Sequence, residues 1–133
     1  MANTTFSGPV RSENGFQNIS KDATTGTVTT GSTYGNIITG SIQSLSGAGA
    51  VNTTDLITEI TSTGTDALTL ANGSAGQVKI IVMIVDGGDA TLTPTTLAGG
   101  STITFGDVGD GVILVYNTTT GWNVVGNNGA VIA

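Results

Sequence analysis

The residues able to do chemistry are few, and their spacing narrows them further. Asp86-Gly-Gly-Asp89 and Asp107-Val-Gly-Asp110 place two pairs of carboxylates in glycine-bearing segments. Calcium takes about six to eight oxygens from clustered carboxylates and carbonyls, and the alternating Asp/Asn loop closed by a distal Glu that supplies them is absent. Asp beside Gly is instead the composition of a turn, where the carboxylate accepts from its own downstream backbone. Gly106-Asp-Val-Gly-Asp-Gly111 has the glycine density of a phosphate loop, yet no Lys adjoins it and no helical pattern follows. Its two acids would also repel the ligand. Asp55, Glu59 and Asp66 lie close enough in sequence to offer the paired carboxylates of glycoside hydrolysis. Six aromatic residues in the whole chain leave little from which to build sugar platforms.

Composition removes most other reaction chemistry. The chain has no Cys and no His, which excludes disulfide scaffolds, thiol nucleophiles, Cys/His zinc sites, catalytic triads and imidazole bases. Lys79 and scattered carboxylates are what remains for proton transfer, so no catalytic residue, cofactor or metal is expected. Charged residues are 9% of 133 positions, far below the roughly 25% of an average domain. Nine acids against three bases give a net charge of −6. An acidic chain without a basic patch repels phosphate backbones and anionic lipid, so neither nucleic acid nor membrane is expected as a partner. The first five residues lack the basic and apolar stretches of a signal peptide, and no run approaches the ~20 apolar residues of a membrane span. Synthesis in the cytoplasm is the expectation.

The elements that position these residues are strands. Gly, Thr, Ser and Asn make up about half of the chain, but hydrophobic residues are 38% and disorder needs low hydrophobicity with high net charge. The apolar set is rich in Val and Ile and the polar set in Thr, which fit a pleated surface. No segment shows the 3.6-residue period of an amphipathic helix. The pattern predicts strands at about 55–61, 66–70, 76–86, 89–93, 101–105, 111–117 and 121–126, at the spacing of a sandwich or barrel. Asp86–Asp89 reads as a tight hairpin turn and 117–121 as a longer one. The fold class is all-β: a single β-sandwich or barrel-like domain over 51–133, an extended amino-terminal arm over 1–36, and a weak strand with a Gly/Ala/Ser hinge over 37–50.

The arm is electrically neutral, with Arg11 and Lys21 against Glu13 and Asp22, whereas 37–133 carry Lys79 against seven acids. It has too few apolar residues for a core of its own, yet it holds Phe6, Phe16 and Tyr34. Such an arm either folds back over its own domain or adheres to another subunit or another protein. An internal match at an offset of 35 residues aligns Leu68–Ile80 with Ile103–Val115, as expected of two stacked halves of one sandwich. Two copies fall short of the three or more units a solenoid needs.

Val78-Lys-Ile-Ile-Val-Met-Ile-Val85 is apolar on both faces of a strand, with Val78, Ile80, Val82 and Ile84 on one side and Ile81, Met83 and Val85 on the other. Val112-Ile-Leu-Val-Tyr116 repeats the pattern. A sandwich covers one face of each strand, so the second must be covered by the arm, by residues 37–50 or by another copy. The row Ile81, Met83 and Val85 is expected to face outward and form a subunit interface.

Two segments resemble phage proteins. Residues 1–16, Met-Ala-Asn-Thr-Thr-Phe-Ser-Gly-Pro-Val-Arg-Ser-Glu-Asn-Gly-Phe, resemble the amino termini of virion structural proteins of marine tailed bacteriophages, in particular head decoration proteins. The stretch from Ala98 to Ala130, with Ser-Thr-Ile-Thr-Phe, Gly-Asp-Val-Gly-Asp, Val-Ile-Leu-Val-Tyr and Gly-Trp-Asn-Val-Val-Gly-Asn-Asn-Gly-Ala, resembles a β-module of phage head and tail-fibre proteins. The resemblance implies a non-enzymatic capsid cement protein, a homotrimer on the outside of the virion whose arm grips the major capsid protein. Phe6, Val10, Arg11 and Phe16 would form that capsid-binding arm. A head- or tail-fibre tip that binds a host glycan or surface protein is the alternative.

Overall fold

The β-branched alternation of the sequence becomes strands and turns, with no helix among the described residues. The computed structural model describes residues 16–34 and 41–133. It divides the chain into two units, Met1–Thr39 and Gly40–Ala133.

In the first unit, β1 (Phe16–Lys21) and β2 (Val28–Tyr34) pair antiparallel, with a bulge between Asn18 and Ile19. Asp22 nucleates the turn: its Oδ1 accepts from the backbone N–H groups of Thr24 at 2.8 Å and Thr25 at 2.7 Å. The expected arm therefore contains a hairpin, because a turn-forming acid with Gly26 at φ 73° lets the stretches on either side of it pair locally.

The second unit contains β3 (Ile42–Ser46), β4 (Gly49–Val51), β5 (Ile57–Thr61), β6 (Asp66–Leu70), β7 (Val78–Val85), β8 (Ala90–Pro94), β9 (Ile103–Phe105), β10 (Gly111–Asn117), β11 (Gly121–Asn128) and β12 (Val131–Ile132). Every strand expected after residue 51 is present, with ends moved by at most two residues. They form two mixed five-stranded sheets of order β11-β10-β7-β5-β3 and β12-β9-β8-β6-β4. The chain passes from the first sheet to the second four times, through β3/β4, β5/β6, β7/β8 and β11/β12, and the like strands of the first three passages pair in parallel. Strands β9 to β12 then close the far edges antiparallel.

This winding corrects three expectations. The weak strand expected within 37–50 is β3, an edge strand of the first sheet, and where the hinge was expected the chain forms β4, an edge strand of the second, because Val51 continues the register of β6. Asp86–Asp89 carries the chain from one sheet to the other, so it is not a hairpin turn. It passes tightly over the preceding crossing: a Cβ on Gly87 would lie 2.5 Å from the Ser62 carbonyl oxygen. The buried Ser62 hydroxyl ties the two crossings by sharing its one proton between the carbonyls of Gly64, at 2.8 Å, and Gly88. Finally, the two copies of the internal match are β6–β7 and β9–β10, each of which gives one strand to each sheet, with the strands of one copy antiparallel to those of the other. They are not two stacked halves.

The inner faces of both sheets enclose one core. Ile60, Ile81, Met83, Leu114 and Trp122 from the first sheet and Leu68, Leu70, Leu92, Ile103 and Phe105 from the second are at most 1% exposed. Trp122 packs edge-on against Tyr116 with ring centroids 5.2 Å apart. Its indole N–H donates to the Ala71 carbonyl at 2.9 Å, which satisfies the one polar atom that so large a buried ring carries.

Candidate functional site

The acids singled out by spacing are engaged in turns. Asp110 Oδ2 accepts from the backbone N–H of Gly106 at 2.8 Å and of Asp107 at 3.1 Å. Asp86 Oδ1 accepts from Gly88 at 2.8 Å, and Asp66 Oδ2 from Thr63 at 2.9 Å. The segment that resembled a phosphate loop is the link between two strands, β9 and β10, so no helix terminus stands behind it. Among the described residues no group of three or more acids could hold a metal ion. Asp55, Glu59 and Asp66 are not brought together as a pair of catalytic carboxylates: they sit in the loop before β5, on the outer face of β5, and buried at the start of β6.

One titratable group lies where its charge would not place it. Lys79 is fully buried on the inner face of β7, in the row of Ile81 and Met83. Its ammonium donates to the Asp55 backbone carbonyl at 2.6 Å. Burial pushes its pKa down to about 8, a shift that the nearby Asp55 charge partly opposes. The Asp55 carboxyl is held below the usual range by the Ser41 hydroxyl and by the Asn52 amide, which donates to it at 2.6 Å. Gln77 donates to the Thr53 carbonyl, and Gln43 accepts from Asn52 N–H at 2.9 Å and Thr58 Oγ1 at 3.0 Å. These side chains latch the 52–56 loop to β3 and β7. Among the described residues no buried side-chain nitrogen or oxygen lacks a partner.

Because Lys79 is satisfied inside, β7 faces the opposite way from the expectation. Ile81 and Met83, expected at a subunit interface, are fully buried in the chain's own core. Val85 is 46% exposed beyond a bulge that shifts the β5–β7 register. The row therefore cannot be a subunit interface as a unit. Phe6, Val10 and Arg11 lie outside the described residues, and Phe16 is the first residue of β1.

The outward row is the other one. Register places Ile42, Ile57, Ile80 and Ile113 side by side across β3, β5, β7 and β10, ending at Gly126 on β11. Val82 and Glu59 occupy the adjacent row, and Val78 pairs with Val115 on the other side. Ile42 is 52% and Ile113 42% exposed. Among the described strands of this sheet, Glu59 is the one charged residue on the outer face. Where Gly111 and Gly126 lack side chains, a groove of about 380 Å³ opens beside Ile80, Val82 and Ile113. A Cβ on Gly126 would already touch Ile113 at 3.4 Å, so a larger residue there would fill it.

The two-faced character of β7 and β10 was legible in the sequence, but the cross-strand isoleucine row was not, since its members are spread over 72 positions from Ile42 to Ile113. Such a face performs no bond chemistry. It releases free energy by leaving water, roughly 25 cal/mol per Å² of apolar surface covered. No protein-family model and no curated protein matches the chain.

Proposed function

We propose that the chain is a non-enzymatic structural protein that works by binding other proteins, a decoration or cement protein on the capsid exterior of a tailed bacteriophage. The observation that carries the binding role is the isoleucine row on the outer face of the first sheet, half-exposed and nearly free of charge. Contiguous apolar patches of this kind mark interaction surfaces. In this reading the amino-terminal segment, through Phe6, Val10, Arg11 and Phe16, holds the major capsid protein, and the β-sandwich binds a further partner through its isoleucine face. The scarcity of basic residues and the lack of His and Cys fit a protein that recognises neither nucleic acid nor a reacting substrate.

The test is a count of copies on purified particles together with shell co-sedimentation of full-length Phe6→Ser/Arg11→Ala. Hundreds of copies per particle and loss of shell binding in the variant are expected. A few tens of copies, or wild-type occupancy by the variant, overturns the decoration reading.

A further inference from the structure

The geometry points to a second copy of this chain as the occupant of the isoleucine face: Ile42, Ile57, Ile80 and Ile113 of one molecule pack against the same face of a neighbour. The inference deepens the binding role proposed above by naming the partner of that face, and its readout is in solution, so it stands or falls independently of capsid binding.

Three observations select this occupant. The first is area. Five strands about 4.8 Å apart, with side chains rising over about seven residues of 3.3 Å each, give a face of roughly 550 Å² in projection. Standard interfaces take about 600 to 800 Å² of accessible surface from each partner, and the relief of β-branched side chains raises accessible above projected area. The face is therefore of the right size for one sheet of the same dimensions.

The second is charge. The second unit carries Lys79 against seven acids, and the lysine is buried. Two such units repel through most of their surfaces. Glu59 is the one charge on this face among the described strands, so it is the surface on which like units can approach with least repulsion. Depletion of charge is also what distinguishes the centre of a protein interface from the remaining surface.

The third is shape. The sheet is corrugated by its own composition: the Gly111 and Gly126 groove lies beside Ile113, and Val125, the extra residue of the β10–β11 bulge, is 62% exposed next to Gly126. Hollow and protruding β-branched side chains stand on the same surface, as self-association requires.

Sedimentation equilibrium on the full chain tests the inference. Wild type is expected to be oligomeric, Ile113→Asp monomeric with an unchanged circular dichroism spectrum, and Thr69→Asp, on the outer face of the other sheet, oligomeric like wild type. Should Ile113→Asp fail to fold, Ile80→Thr, which keeps a β-branched residue in the strand, decides by the same loss of mass. A wild type that remains monomeric at high concentration overturns the inference. So does an oligomer that survives both ladder variants, or one that Thr69→Asp breaks.

Discussion

The outer faces of the two sheets differ although both stand on the same core. On the second sheet, register sets Ala50, Thr69 and Thr93 in one row and Ala67, Thr91, Thr104 and Val131 in the next. The hydroxyls of Thr91 and Thr104 bond to each other at 3.2 Å, and such a surface is at ease in water. The corresponding row of the first sheet is Ile42, Ile57, Ile80 and Ile113. Threonine and isoleucine share the branched Cβ that suits a strand, so the backbone is served equally by either. The difference lies in what each surface asks of its surroundings: one is finished as it stands, and the other gains by being covered.

The comparison can be broken from the inside. Met83→Asp puts a charge among Ile60, Ile81 and Leu114 rather than at an interface, and we expect it to remove the cooperative thermal transition, at a cost of about 5 kcal/mol. A folded monomer would restore Met83 to the outer row and invert the assignment of faces. Trp122→Ala removes the largest fully buried side chain together with its bond to Ala71. A loss of about 3 to 5 kcal/mol in urea unfolding is expected, whichever outer face is covered.

Lys79 sharpens the same assignment through pH. Its folded pKa of about 8 lies below the ordinary lysine value of 10.5. Between the two the unfolded chain binds the proton and the folded one does not, so stability rises as pH rises across this window. Relative to Lys79→Met, wild type should gain about 3 kcal/mol between pH 7 and pH 10.5. A flat difference would put the lysine in water and turn β7 over.

The smallest effect concerns the finished face. Thr93→Val exchanges one exposed branched side chain for another of similar shape, and a change within about 0.5 kcal/mol is expected in thermal unfolding. The equivalent exchange on the isoleucine face, Ile80→Thr, is expected to lower stability in a concentration-dependent way, because a bound copy stabilises by mass action. Equal, concentration-independent shifts for both would erase the distinction between the faces.

Much of this was legible from residue order. The strands after residue 51, the lack of helix among the described residues and the two-faced apolar runs of β7 and β10 follow from β-branched composition and a two-residue period, which are local properties. The weak strand expected within 37–50 is β3, but β4 escaped because Gly47 and Gly49 in a run of small residues look like a hinge until β6 lies alongside to pair with them. The turn role of Asp86 and Asp110 was visible in the glycines beside them.

What residue order determined is which side chains of β7 share a face, since alternation permits only two sets. It could not determine which set goes inside. Val78, Ile80, Val82 and Ile84 are as apolar as Ile81, Met83 and Val85, so composition does not separate the two sets. The decision fell to the Asp55 carbonyl, 24 positions away in sequence and 2.6 Å away in space. A lysine can be buried where a distant loop supplies an acceptor and a neighbouring carboxylate, and only the winding of the chain between two sheets brings that loop to β7.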